Sequence, residues 1–577
     1  MTKSELTKPT IDLERPTLAF EAVTFSDGCT LTFEDDDIVV FVGPNNAGKS
    51  ATLREMEAMV ARTQPGNTVR SAKLKKTGDS GSLRAYLDQH SQKSGAGADL
   101  QFGGIGFNIH QSHISWFDNP NDRHPVAPFF AKRLATETRI QDSMAAPAIA
   151  LYNNPPTHPI HMLLMDEKLA AEMSGKFRHA FGVDLIPFRA GGGSFPLYVG
   201  MKPTLASGTD ELSREFVEEL QRTSVQLDRQ GDGMRSFAAV LLHVLAARNH
   251  SIQFLDEPEA FLHPPQARLL GKYIAEGRRE KSQLFIATHS TDILDGLIEG
   301  GSDKVRIIRI RREGDINRVK ELSKSQTRAI AKDTLTRFSK VFDGIFFEHV
   351  IVCESDADCM FYQSILSLPS ISGERRPDVL FVHTAGKHRM SKLAETLRAL
   401  DVPVSVIADI DVLSEENTFK TLVEKLGGEW SDIQPHWYAV SQAVLSQRPP
   451  LNATQVKGMI ADLIEDVSGI AEFPRAKENA IKKVFKTVSP WSALKQSGRR
   501  GLPNGEPTTQ YDQLAEKCAS IGLWIVPVGE VEGFCQSLGS HGPGFVEKVL
   551  ETKGLETDVE LAEAREFVGK IWRRRRS

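Results

Sequence analysis

Three short stretches in the second half of the chain crowd carboxylates where chemistry could follow. "VIVCESDAD" runs from an apolar segment, Val350 to Cys353, straight into Glu354, Asp356 and Asp358. "VSVIADIDV" does the same at Asp409 and Asp411, and "LWIVPVGEVEGF" reaches Glu530 and Glu532. Like charges about 4 Å apart repel by roughly 4 kcal/mol at an effective dielectric near 20, so such a cluster is costly unless a cation neutralises it. Oxygen donors with no Cys or His among them suit a hard divalent ion, Mg²⁺ or Mn²⁺. Two such ions organise in-line attack on a phosphodiester, one activating water and one stabilising the leaving oxygen. A solvated acidic pair at one strand end is ordinary. Three of them at successive apolar segments point to a shared metal cup.

The first half carries a different chemistry. "VVFVGPNNAGKSATL" holds Gly43-x-x-x-x-Gly48-Lys49-Ser50 between an apolar strand and a helical pattern, which is the P-loop in its required context. The glycines let backbone N–H groups approach phosphate oxygens, and Asn45 and Asn46 lie in the same cradle. Lys49 reaches the outer phosphates, and the Ser50 hydroxyl can ligate Mg²⁺. In "SIQFLDEPEAF" an apolar strand ends at Asp256, placed to hold Mg²⁺ through water, and Glu257, placed to orient or deprotonate the attacking water. "QLFIATHS" ends a further strand at Thr288 and His289, and His289 is the candidate γ-phosphate sensor. ATP with Mg²⁺ is the expected ligand here.

Both sites need parallel sheets, which gather functional residues at the carboxyl ends of their strands. Residues 236–310 alternate apolar helices with short apolar strands, and a second α/β alternation runs from near Phe346 to about 535. The expected fold is α/β: a P-loop ATPase domain over 1–340 and a second α/β domain over 341–577, with the seam at 335–345. Residues 61–225 look irregular and are expected to form a large insert serving dimerisation or partner contact. A helix is expected over 212–227, where Leu212, Phe216, Leu220 and Val225 recur. In extended chain, residues i and i+2 share a face, so Asp409 with Asp411, and Glu530 with Glu532, should each point to one site.

Composition sets the remaining bounds. No apolar run is long enough to span a bilayer, and the first twenty residues lack a secretory pattern. Cysteines at 29, 353, 359, 518 and 535 are odd in number without a CxxC pair, which disfavours a disulfide framework and suits the cytoplasm. The net charge of −5 does not advertise a nucleic-acid binder, yet phosphate binding depends on local patches and bound metal. The final "IWRRRRS" reads as a solvated tail, with four arginines beside Trp572 that hold a phosphate backbone as the alternative.

The order P-loop, Asp-Glu strand, strand-end His resembles the ABC-type ATPases, a class that includes SMC proteins. "RQGDGMRSF", residues 229–237, stands where that class carries its signature loop, making Asp232 and Gly233 candidate contacts to nucleotide on a second subunit. The acidic strand ends look like a Toprim domain. That resemblance carries over Glu354, Asp358, Asp409, Asp411 and Glu532 as the metal set for one or two ions. Asp356 and Glu530 are second choices, and Ser355 stands where the family usually has Gly. An ABC-type ATPase followed by Toprim resembles the OLD (overcoming lysogenization defect) family, including Gabija-type and retron-linked relatives. The resemblance implies metal-dependent DNA cleavage or nicking under ATP control, homodimers or larger oligomers through the ATPase domains, and a role in antiphage defence. It also implies an operon partner such as a helicase or a reverse transcriptase with its noncoding RNA. A lysine accompanies the metals in some members, which makes Lys495 in "WSALKQSGRRGL" a candidate, with Arg499 and Arg500 beside it. The alternative is a DNA-binding ATPase sensor or scaffold whose Toprim half is inactive.

Overall fold

The computed structural model describes residues 14–574 apart from 152, 205–209, 247–249, 278–279, 302–303, 323–341, 374–375, 385, 448–452, 468–471, 488–489 and 540–541. The chain forms two compact units, Met1–Thr334 and Leu335–Ser577. Most of the seam expected at 335–345 lies outside the described residues.

The first unit is built on six strands: β1 (Ile38–Val42), β2 (Ala131–Leu134), β3 (Ile252–Asp256), β4 (Gln283–Ala287), β5 (Val305–Glu313) and β6 (Ile316–Glu321). Their order is β6-β5-β1-β4-β3-β2, and every pairing is parallel except the β5–β6 hairpin. β1 and β4 are buried at every position, as expected of strands covered on both faces. Ala287 is in register with both Asp256 and Phe41, so the chain leaves β1, β3 and β4 at one end of the sheet. Phe20, Phe33, Phe41 and Phe254 all pack on Phe285, with ring centroids 5.4–6.5 Å apart. Each such ring contributes about 2–3 kcal/mol by leaving water.

Residues 61–225 are less of an insert than the sequence suggests. Val69–Thr77 pairs antiparallel with Thr17–Phe25, and β2 is the edge strand of the central sheet. β2 reads "AKRL", too short and too polar in its middle to show as a core strand. The expected helix over 212–227 spans only Arg214–Thr223. Ser213 caps its N-terminus, and Phe216 and Leu220 are buried. Leu212 and Val225 are exposed, and Val225 sits in the strand Ser224–Gln226.

The second unit has a four-stranded sheet: β7 (His349–Cys353), β8 (Val379–His383), β9 (Val404–Ala408) and β10 (Leu523–Ile525), ordered β8-β7-β9-β10 and parallel throughout. The extended geometry expected for both acidic pairs is not found, although Asp409 and Asp411 still reach one site. β10 ends at Ile525, and Gly529, at φ +100, starts a bend into the 3₁₀ turn Val531–Phe534. Glu530 and Glu532 are therefore not an extended i, i+2 pair. Asp409 is extended, but Asp411 already lies in the 3₁₀ turn Ile410–Ser414. The chain end is not a solvated tail up to Arg574: Ala562–Arg574 is a helix with Trp572 buried, and Arg574 pairs with Glu516 at 2.8 Å.

Candidate functional site

In the first unit, β1 delivers Gly43 at φ +142, and a Cβ there would lie 2.1 Å from the Ile310 carbonyl oxygen. Gly48, at φ +98, heads the helix Lys49–Ala61. Both positions need glycine, the first for close approach and the second for its left-handed backbone. Lys49 is buried and donates to the carbonyls of Gly43 and Pro44, each at 2.8 Å, so its ammonium lies across the P-loop. Ser50 Oγ donates to Asp256 Oδ1 at 2.7 Å, which brings the two expected Mg²⁺ ligands together across the ends of β1 and β3. Glu257 Oε1 stands 3.3 Å from His289 Nε2. Burial and the nearby Lys49 push the His289 imidazole down to about 4, so it is neutral near pH 7. Asp232 and Gly233 open the helix Asp232–Leu241, and Asp232 pairs with Arg235 at 3.3 Å. A cleft of about 570 Å³ runs beside Ser50, Asp256 and Glu257, lined also by Arg54, Arg133 and Glu137.

In the second unit, Glu354 directly follows β7 and Asp409 directly follows β9. One oxygen each from Glu354, Asp409 and Asp411 lies within 4.8 Å of the others. Oxygens sharing an ion at about 2.1 Å are at most about 4.2 Å apart, so small side-chain rotations suffice to close the cup. Lys495, from the helix Pro490–Ser497, enters the same space. Its Nζ lies 2.8 Å from Asp409 Oδ2, 3.7 Å from Asp411 Oδ1 and 3.9 Å from Glu530 Oε2. Asp411 Oδ1 is shielded from solvent and accepts no hydrogen bond. A set of crowded oxygens, one of them unsatisfied and a cation already among them, fits a hard divalent ion. Burial pushes the Asp409 carboxyl up to about 8 against the pull of Lys495, and the charges of Glu354 and Asp358 add to the rise. Glu354 and Asp358 are raised too, chiefly by burial. Lys495 is raised because Asp409, Asp411 and Glu354 outweigh its own desolvation.

The other expected ligands lie outside that three-oxygen cluster. Asp358 Oδ2 accepts from the Ser355 amide at 2.9 Å, and Ser355 Oγ accepts from the Asp358 amide at 3.2 Å, a capping box that starts the helix Asp356–Leu366. Ser355 is extended at φ −125, so serine is accommodated where the resemblance led one to expect glycine. Glu532 Oε1 accepts from the Gly542 amide at 2.7 Å. Glu530, the second choice, is the one within ion-pair reach of Lys495. Asp356 Oδ1 accepts from the Ala357 amide next to it. Arg499 and Arg500 are engaged with Asp512 and Glu563 rather than with the cup.

Sequence reasoning missed several participants. Lys387 follows β8 and sits 3.5 Å from Asp411 Oδ2 and 3.2 Å from Glu415. A Gly-Lys pair directly after an apolar strand, "TAGKHRM", was the available signal. Arg139 and Thr136, after β2, both donate to the Asp256 carbonyl at 3.1 Å. Their strand was too polar to notice.

The architecture is that of a P-loop ATPase joined to an α/β unit with a carboxylate-lined site. A profile of the family described as "AAA domain, putative AbiEii toxin, Type IV TA system" matches residues 161–295. The "Old nuclease" of Escherichia phage P2 is 21% identical over 325 residues, covering 53% of this chain. The chain spans about half of that relative's length, 48%. Solved structures that resemble it include an SmcHead bound to the C-winged helix domain of ScpA (TM-score 0.34, 11% identity, 54% of this chain and 100% of that one). The SMC head domain from Thermotoga maritima is another (TM-score 0.25, 12% identity, 54% and 99%). The sequence match and the P-loop unit point the same way as the likeness to the OLD family read from the motifs. No helix among the described residues is long and apolar enough to cross a membrane.

Proposed function

We propose that the chain is an ATP-regulated, divalent-metal-dependent endonuclease or nickase acting on DNA, with ATP turned over in the first unit and phosphodiesters cut in a Toprim-like second unit. The observation that carries this reading is the convergence of Glu354, Asp409 and Asp411 at the carboxyl ends of adjacent parallel strands. The "Old nuclease" match supports the same class of chemistry.

In the first unit Lys49 exchanges its two carbonyl partners for the outer phosphates of ATP. Ser50 and Asp256 are the groups that hold Mg²⁺. Glu257 orients the attacking water, and neutral His289 contacts the γ-phosphate. Asp232 and Gly233 offer a surface to nucleotide on a second copy, so ATP clamps two chains together. In the second unit Glu354, Asp409 and Asp411 hold one or two Mg²⁺ or Mn²⁺ ions, with Asp358 and Glu532 next to them. Bound there, the metal supplies charge neutralisation and polarises the scissile phosphate. Glu354 or Glu532 takes the proton of the attacking water. Lys495 leaves Asp409 to face the phosphate or the leaving oxygen. The biological setting is antiphage defence with an operon-encoded helicase or reverse transcriptase as partner, which suits a relative of a phage-encoded nuclease and a family profile drawn from toxin systems.

Purified full-length chain is incubated with supercoiled plasmid and Mg²⁺ or Mn²⁺, with and without ATP. Nicked or linear product from wild type, but none from Asp411→Ala, is expected. Intact plasmid in every condition, or cleavage by the variant, overturns the nuclease assignment. The capping box that occupies Asp358 favours one alternative, an ATPase scaffold with an inactive second unit, and intact plasmid alongside normal ATP turnover would establish it.

A further inference from the structure

We propose that Glu259 is a positioning residue for ATP hydrolysis: its carboxylate ties the loop after β3 to the loop after β4, and so fixes Glu257 against His289. This rests on the ATPase reading above. Glu257 lies at a bend, φ +47, and its amide donates to the Ala287 carbonyl at 2.8 Å. The following turn closes with the Ala260 amide on the Glu257 carbonyl at 3.0 Å, which swings Glu259 back toward β4. There Glu259 Oε1 accepts from Thr288 Oγ at 2.7 Å and from the His289 amide at 2.8 Å. Thr288 Oγ in turn accepts from the Ser290 amide at 3.0 Å.

The result is a closed ring. Its side-chain half is the Glu257–His289 contact at 3.3 Å, and its other half is Glu259 holding the backbone of His289. The ring is braced from below by Arg139, which is fully buried and donates to the carbonyls of Asp256 at 3.1 Å and Ala260 at 3.5 Å. Glu259 Oε2 is shielded from solvent, accepts no hydrogen bond and feels the Arg139 charge. A carboxylate used only for solubility would not be enclosed in this way. Two catalytic side chains on separate strands keep a fixed separation only if their loops are cross-linked, and Glu259 is the side chain that supplies the link.

The test uses the full chain with Glu259→Ala and Glu259→Gln, the second keeping the acceptor oxygen while removing the charge. Phosphate release gives kcat, a fluorescent ATP analogue gives nucleotide affinity, and hydrogen exchange read by mass spectrometry reports the His289 amide. Glu259→Ala should lower kcat by about 10- to 100-fold while analogue affinity stays within about threefold, and the His289 amide should exchange faster. Glu259→Gln should stay within about threefold of wild type in kcat, with the amide still protected. Wild-type kcat in Glu259→Ala, equal loss in both variants, loss of analogue binding in step with kcat, or unchanged exchange at His289 each overturns the proposal. Absence of turnover in wild type would instead refute the ATPase reading, and the exchange comparison would still decide whether Glu259 is the link.

Discussion

Replacing Asp409 by Asn should change how the stability of the metal-free protein depends on pH. Burial lifts the Asp409 carboxyl from about 3.8 in its ordinary state to about 8 in the fold. A carboxyl raised by folding stabilises the protein fully below its unfolded pKa, and that contribution is lost as pH rises toward the folded value. Within this window each pH unit is worth up to about 1.4 kcal/mol for one proton. Between pH 6 and 8 wild type should therefore lose up to about 2–3 kcal/mol from this group, the pull of the Lys495 ammonium 2.8 Å away being already contained in the raised value. For a unit of this size about 1 kcal/mol moves the midpoint by roughly 2–4 °C, so a fall of up to about 4–12 °C is expected. Asn is uncharged at both pH values and lacks this part of the slope. Lys495 keeps Asp411 and Glu530 as partners in the variant, so its own charge is not stranded. Trp430, Trp437, Trp491, Trp524 and Trp572 lie in the second unit and Trp116 alone in the first, so tryptophan fluorescence during thermal unfolding in EDTA reads the right unit. Parallel pH profiles for wild type and Asp409→Asn would refute the idea that the cup stores uncompensated charge.

Other outcomes follow from the same geometry. Asp409→Ala should abolish plasmid cleavage while ATP turnover stays within about twofold, since each chemistry has its own residues; parallel loss in both assays would contradict that. Gly43→Ala forces a Cβ to 2.1 Å from the Ile310 carbonyl, so it should destabilise the first unit by more than about 2 kcal/mol and remove binding of a fluorescent ATP analogue. Lys387→Met removes a positive charge 3.5 Å from Asp411 Oδ2 and should tighten Mn²⁺ binding by roughly 3- to 10-fold, measured by calorimetry without nucleotide.

What the sequence made legible tracks how local each signal is. The P-loop, the Asp256 and Glu257 strand end and the strands bearing Glu354 and Asp409 are continuous apolar runs broken by chemistry, and the sheet order then brings their ends together. The Glu530 and Glu532 pair misled because an apolar run, "LWIVPV", continues past the last paired residue, Ile525, and the bend at Gly529 resets every later side-chain direction. β2 was hidden by Lys132 and Arg133, which a sheet edge tolerates, and Arg139 with it. Lys387, Arg139 and Glu259 act through contacts between loops distant in sequence, and no spacing within one segment encodes those. Lys495 lies 84 residues beyond Asp411 in sequence number, yet its helix brings it to 3.7 Å.

The central claim is that the acidic strand ends of the second unit are a metal site. Titrating nucleotide-free protein with Mn²⁺ in a calorimeter tests it directly, comparing wild type with the double variant Asp409→Asn, Asp411→Asn. At least one Mn²⁺ per wild-type chain and none in the variant is the expected result. Equal uptake by both proteins, or no uptake by wild type, would contradict it.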